Sequence, residues 1–214
     1  VQNYKILDAL GEAFRIASCY NAPQLDGPSA IILDVSGSMT DTISRNSNIT
    51  IKQVGACFAV ALFLAHPQCS IVKFGNKGKE VHLNKWDNPF HLIDLLCAND
   101  DCGYGTDIIP AFEILNRMPT TNRIFIISDM QVMSSRNNYS WYYSHPDSAS
   151  KVYHKYFGNC PCYSFDLGHY HTQILSEYDH IRYVTALNDQ VFKFIGLLES
   201  GINIINFINN IEYC

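Results

Sequence analysis

No apolar run in this sequence approaches the roughly 18 residues needed to cross a bilayer, so no membrane-spanning helix is expected. Residues 1–20 mix polar and apolar side chains at helical spacing and do not read as a secretory leader. The 15 Lys and Arg, against 20 Asp and Glu, are scattered and never form a basic run. The usual electrostatic footprint of nucleic-acid binding is therefore missing from the sequence. Internal repeats and low-complexity segments are absent. There is no Cys-x-x-Cys pair, and Cys160-Pro161-Cys162 is too tight for ordinary zinc-ligand spacing.

Cysteine itself is plentiful: Cys19, Cys57, Cys69, Cys97, Cys102, Cys160, Cys162 and Cys214. Without a leader, most are expected to be reduced thiols in an intracellular, cytoplasmic setting. Cys57 falls in an apolar helical pattern and reads as a core thiol. Cys97 and Cys102 flank a short loop and would form a local bridge only in an oxidising environment.

A chain of 214 residues, 47% hydrophobic, buries a sizeable core as one large domain or a domain with an extension. It begins at Val1, which fits a module taken from a longer protein. Residues 4–19 carry Ile6, Leu7, Leu10, Phe14, Ile16 and Ala17 at helical spacing. Residues 21–28 hold two prolines and a glycine and read as a linker. Thr50 is expected to cap a helix reaching Ala65, with Val54, Cys57, Phe58, Val60, Ala61 and Leu64 turned inward. Short apolar runs at 70–74, 123–128, 162–167 and 182–184 predict further strands, and 80–83 a return strand in an edge hairpin. Residues 89–97, 108–118, 148–157 and 191–198 predict helices, with Asn188 capping the last. A final stretch, 202–211, reads as helical or partly extended. Strands alternating with helices predict an α/β fold: a doubly wound, mostly parallel sheet flanked by helices, with one antiparallel edge strand. The expected division is 1–28 helix and linker, 29–200 main domain, 201–214 extension.

The chemistry concentrates at the end of the first strand. Ile31, Ile32 and Leu33 form an apolar run that suits a central strand covered on both faces. The run gives way to Asp34, Ser36 and Ser38. In an open α/β sheet such residues lie just beyond the carboxyl ends of the strands, where ligands bind. A carboxylate and two hydroxyls on alternate residues are hard oxygen donors, suited to a hard cation such as Mg2+. Gly37 is expected to let the backbone turn sharply between the serines. Further along, Gly105-Thr106-Asp107 offers another hydroxyl. Ile124-Phe125-Ile126-Ile127-Ser128-Asp129 is a second apolar run ending in an acid.

Together these residues resemble the metal-ion-dependent adhesion site of von Willebrand factor type A domains: Asp-x-Ser-x-Ser, a distant Thr, then a distant Asp. The resemblance implies a metal set of Asp34, Ser36, Ser38, Thr106 and Asp129, holding Mg2+ or Mn2+ directly or through water. It implies that a partner's carboxylate or phosphate completes the oxygen shell. Thr40, Asp107 and Trp141 are the residues expected to touch that partner. Residues 5–14, the loop after them, and Leu33-Asp34-Val35-Ser36-Gly37-Ser38-Met39 look like the entry to the type A domain of the Ro autoantigen (TROVE) family. Ro proteins join that domain to a ring of helical repeats that binds small noncoding and misfolded RNAs. The ring is not in this sequence, so a ribonucleoprotein role implies RNA binding through a missing helical-repeat domain. Ile127-Ser128-Asp129-Met130 and Phe165-Asp166-Leu167 also look like a group of type A-like proteins of plants, fungi and large viruses.

Other readings of the same residues fit less well. Asp34 as a plain helix cap leaves the distant Thr and Asp unexplained. A haloacid-dehalogenase-type phosphatase wants an acid where Ser36 stands. A serine hydrolase wants Gly-x-Ser-x-Gly, and Asp34 stands at its first glycine. A metal-assisted phosphoryl hydrolase would need a base from Asp41, Asp107 or Asp166. A structural module of a larger, viral assembly would keep the motif as a vestige. The expectation is a binding module rather than an enzyme. Aromatic Tyr139, Trp141, Tyr142 and Tyr143 lie in a long loop expected to pack mainly on its own domain. His145, His154, His169, His171 and His180 lack ligand spacing and read as surface or edge histidines.

Overall fold

A computed structural model describes residues 2–22, 25–131, 146–168, 172–185 and 189–201. Tyr139, Trp141, Tyr142, Tyr143, His145, His169, His171, Asn188 and residues 202–214 lie outside the described residues.

Six strands form one sheet in the order β3-β2-β1-β4-β5-β6. They are β1 (Ser29–Asp34), β2 (Cys69–Phe74), β3 (Gly78–Val81), β4 (Arg123–Ser128), β5 (Cys162–Asp166) and β6 (Ile181–Val184). All neighbours are parallel except β2 and β3, which pair antiparallel from Phe74↔Gly78 to Ile71↔Val81. The return strand thus starts two residues before the expected 80–83, because the turn closes on Gly78 itself. β1 sits between β2 and β4, with Leu33 opposite both Lys73 and Ile127. Every residue of β1, β4 and β5 is buried. Continuous apolar runs, rather than alternating ones, are what a two-faced parallel sheet requires.

Helices cover both faces. On one, Ile31, Leu33, Phe125, Ile127 and Phe165 pack against α2 (Ile51–Ala65), α3 (Pro89–Cys97) and α6 (Asp189–Glu199). On the other, Ala30, Ile32, Ile124 and Ile126 meet α4 (Ile109–Leu115) and α5 (Pro146–Phe157). The remaining helix, α1 (Gln2–Asn21), rides on α2 and α3, with Tyr4, Ile6, Leu7, Leu10 and Tyr20 exposed. The result is the expected doubly wound sheet with one antiparallel edge.

Local chemistry sets the element ends. Thr50 caps α2 by accepting from Gln53 N at 3.2 Å, while Gln53 Oε1 accepts from Thr50 N at 2.9 Å. This is a reciprocal capping box. Pro89 opens α3 behind Asn88, whose Oδ1 accepts from Phe90 N.

The inward face of α2 differs in part from expectation: Val60 and Leu64 are buried as expected, but the other four are not. Val54, Cys57, Phe58 and Ala61 are only half-buried and line an apolar groove with Phe14, Phe90 and Phe192. Gly55, Ala56 and Ala59 are buried instead, with Gly55 against the sheet. A Cβ on Gly55 would come within 3.1 Å of Ile127 and Leu167, so the smallest side chains mark the closest approach. In a helix this uniformly apolar, periodicity does not select a face.

All seven described cysteines are free thiols, so Cys97 and Cys102 are not bridged. Among the described residues, no helix is long and apolar enough to cross a membrane.

Candidate metal centre

The chain turns one way from β1 to β2 and β3, then returns to lay β4 on the other side of β1. That reversal opens a crevice beyond the carboxyl ends of β1 and β4, the usual ligand position in such sheets. Asp34 ends β1, and Asp129 follows β4 directly. Both are fully buried, as is Ser36.

Asp34 is held at both oxygens. Its Oδ1 accepts from Ser36 N at 2.8 Å, and its Oδ2 accepts from Ser128 Oγ at 2.6 Å. Burial pushes its carboxyl up to about 7, against the pull of the Ser128 and Ser36 hydrogen bonds, and the nearby Asp129 carboxylate adds to the rise. The Ser36 and Ser38 hydroxyl oxygens lie 3.4 Å apart. Asp129 Oδ1 accepts from Gln131 N at 3.0 Å, but its buried Oδ2 has no hydrogen-bond partner. Burial raises the Asp129 carboxyl too; the Ser38 hydroxyl opposes this, and Asp166 and Asp41 reinforce it.

The loop that carries Thr106 is anchored by the backbone on either side of it. Gly105 N donates to Asn76 Oδ1 at 2.7 Å, and Asp107 N to Gly75 O at 2.8 Å, so the turn after β2 holds both flanks. Gly37 N donates to Tyr104 O at 2.9 Å, joining the serine loop to the threonine loop. Asn99 Nδ2 spans the same gap, donating to Val35 O and Gly103 O. Gly37 has φ −62° and ψ −42°, which any residue adopts. The expected sharp turn is therefore not its reason for being there. A Cβ on Gly37 would sit 3.3 Å from Tyr104 O, so the requirement is close approach of two loops.

The expected metal set, Asp34, Ser36, Ser38, Thr106 and Asp129, thus gathers on three loops at one end of the sheet. Of the expected partner contacts, Thr40 is exposed, with its hydroxyl donating to Gly37 O at 2.6 Å. Asp107 is half-buried, and its Oδ1 accepts from Ile109 N at the start of α4. Trp141 is outside the described residues. Sequence reasoning misses Ser128, which fixes Asp34 and also accepts from Met130 N at 3.0 Å. Met130 has φ 60°. A left-handed non-glycine residue costs about 1–2 kcal/mol. It is held there by its N–H on Ser128 and by its carbonyl accepting from Thr172 Oγ1.

The donor chemistry fits a hard cation. A buried carboxylate oxygen without a donor is costly unless something positive meets it. Three hydroxyls and two carboxylates are the oxygen ligands that Mg2+ and Mn2+ take. Among the described residues, no cluster of three His, Cys, Asp or Glu offers a softer alternative.

No protein-family profile matches the chain, and neither does any curated protein. Solved structures do. The Ro (RSR) protein of Deinococcus radiodurans is similar over 91% of this chain, with TM-score 0.61 and 17% identity. An aerotolerance-related membrane protein from Bacteroides fragilis, in a form with multiple mutations to serine, is similar over 82% of this chain and 90% of its own, with TM-score 0.48 and 15% identity. Proximal thread matrix protein 1 of the mussel byssus is similar over 86% of this chain and 49% of its own, with TM-score 0.47 and 12% identity. This chain spans 38% of the length of the Ro protein. What it shares with Ro is the fold, a type A-like sheet between two helical layers.

Proposed function

We propose that this chain is a divalent-metal-dependent binding module, not an enzyme. Asp34, Ser36, Ser38, Thr106 and Asp129 would hold Mg2+ or Mn2+ through oxygen. The observation that carries this reading is the buried, unpartnered Asp129 Oδ2 beside the paired serine hydroxyls. Bound there, the ion supplies a positive charge that demands a hard anionic oxygen from outside, a carboxylate or a phosphate. The chain's own residues do the positioning. Ser128 and the Ser36 amide fix Asp34, and the Gly37–Tyr104 bond holds the serine and threonine loops in register. Asp41 and Asp166 add negative potential around Asp129.

The Ro-like fold supports placing the module in a ribonucleoprotein, with RNA held by a helical-repeat part outside these residues. The hydrolase reading needs Asp41, Asp107 or Asp166 as its base, and Asp107 and Asp166 each have one carboxylate oxygen accepting from a backbone N–H, of Ile109 and Gly168. A panel of phosphate esters should show no turnover.

A second reading keeps the motif as structure alone, in a module of a larger assembly. It is favoured by Asp34, whose two oxygens are both satisfied from within the chain. Isothermal titration of Mg2+ and Mn2+ into the wild type, Asp34→Ala and Asp129→Asn separates the two. Heat in the wild type and none in either folded variant supports the metal module. No heat in the wild type, with or without an acidic peptide or phosphate, leaves the structural reading standing.

A further inference from the structure

The centre above uses no histidine, yet two histidines meet at the other end of the molecule, where the parallel strands begin. His154 lies in the last turns of α5, and His180 immediately precedes β6. Their ring centroids are 4.9 Å apart with planes at 84°. Tyr178 packs on His154 at 4.3 Å, and Tyr153 packs within 6.1 Å of both rings.

His154 Nδ1 lies 2.6 Å from the Ser150 carbonyl oxygen. A carbonyl has no proton to give, so Nδ1 carries the hydrogen. In the neutral ring Nε2 is then a bare lone pair. That Nε2 is buried and has no hydrogen-bond partner, and the same is true of His180 Nε2. The neighbouring phenols do not serve them: Tyr153 donates to Cys160 O, and Tyr183 to Leu175 O. Burial, with His154 and Arg182 nearby, holds the His180 imidazole below its ordinary range despite Asp179, which keeps it in the neutral form.

An imidazole whose Nδ1–H is fixed by a backbone carbonyl, leaving Nε2 unused, as in His154, is oriented as metal-binding histidines are. Two imidazoles on one tetrahedral ion, at metal–nitrogen distances of about 2.0–2.1 Å, hold their ring centroids about 5 Å apart. We propose that His154 and His180 form a second metal site, which takes a borderline ion such as Zn2+ through the two Nε2 atoms. Imidazole selects such ions over the hard cations suited to the hydroxyl and carboxylate site. Among the described residues no third His, Cys, Asp or Glu completes a cluster. The other two positions therefore fall to water or to an external ligand. A pocket of about 490 Å³, lined by Asn159, Asp179, His180 and Arg182, opens beside His180.

The test is Zn2+ titration against a chromogenic chelator, using the wild type, His154→Gln, His180→Gln and Asp34→Ala. One equivalent should bind to the wild type and equally to Asp34→Ala, so failure of the Mg2+ reading leaves this result untouched. Each histidine variant should bind at least about tenfold more weakly. Binding should also weaken as pH falls from 7.5 to 5.5. Melting curves in chelator, unchanged in the two histidine variants, establish that their fold is intact, and a single cooperative melt does so for Asp34→Ala. Co2+ substitution gives the second readout, a visible spectrum without a thiolate charge-transfer band. Unchanged affinity in both histidine variants, or a thiolate band that persists in them, would place the ion on cysteines and overturn the proposal. So would the absence of Zn2+ binding by the wild type.

Discussion

The two ends of the sheet treat buried charge in opposite ways. Where the strands begin, Arg123 is nearly fully buried and both terminal nitrogens are met, its Nε alone lacking a partner: Nη1 donates to Ser29 Oγ at 3.0 Å, and Nη2 donates to Asp26 O at 2.7 Å and pairs with Glu199 at 3.0 Å. Tyr163 donates to the other Glu199 oxygen at 2.7 Å. Where the strands end, Asp34 and Asp129 are buried together, no basic side chain among the described residues pairs with either, and burial raises both carboxyls. One end spends its charges on tying α6 to β4. The other stores unneutralised acid that a cation from outside would relieve.

Three changes probe that division. The largest effect on stability is expected from Arg123→Met, which leaves the half-buried Glu199 without its cation. Breaking one partner of a buried pair costs about 3–5 kcal/mol, read by denaturant melts, while Mg2+ affinity per folded molecule stays unchanged. Loss of Mg2+ binding in the folded fraction would dissolve the separation between the ends.

Asp34→Asn should act in the opposite sense. The folded-state carboxyl titrates at about 7 against an ordinary 3.8. Its favourable contribution is thus complete below about pH 4 and is lost as pH rises through about 7. In chelator the wild type should lose stability across that window, by up to about 4 kcal/mol. The variant's profile should be flatter and higher at pH 8, and its Mg2+ binding absent. A wild-type profile as flat as the variant's would mean that Asp34 is not buried as an acid.

The smallest change is Gly37→Ala. Its backbone suits alanine, so stability should move by less than about 1 kcal/mol. The added Cβ presses on Tyr104 O at 3.3 Å and should weaken Mg2+ several-fold by parting the two loops. Wild-type affinity in that variant would show that the serine and threonine loops need not stay in register.

Much of this was legible in the order of residues. Apolar runs that stop at Asp34, Asp129 and Asp166 announce strands with polar business at their ends, and the structure ends β1, β4 and β5 there or one residue earlier. The Thr50 cap and the Pro89 start were also readable, because capping is local chemistry. What could not be read was set by contacts between distant segments. Ser128 looks like any strand residue until β4 lies beside β1 and its hydroxyl meets Asp34. Gly37 suggests a turn in one dimension and proves to be clearance for Tyr104 O in three. His154 and His180 have no ligand spacing in sequence, and only the packing of α5 against the entry to β6 brings the rings together.

One feature beside the centre bears on how such a module diversifies. After Asp34-Val35-Ser36-Gly37-Ser38, the chain leaves through Asp41 and comes back through Ile51, whose N–H donates to Asp41 O at 2.9 Å. Thr42 and Thr50 pair as an antiparallel bridge just inside that clasp, and Ile43 N donates to Ile49 O. The excursion is therefore pinched shut at its base, and its tip, 44–48, is exposed apart from the half-buried Ser47. For a loop closed in this way, each doubling of length costs only about 0.6 kcal/mol. The tip is a place where relatives can gain or lose residues, and where an engineer can splice in a foreign peptide, beside the oxygen cluster without moving the ligands.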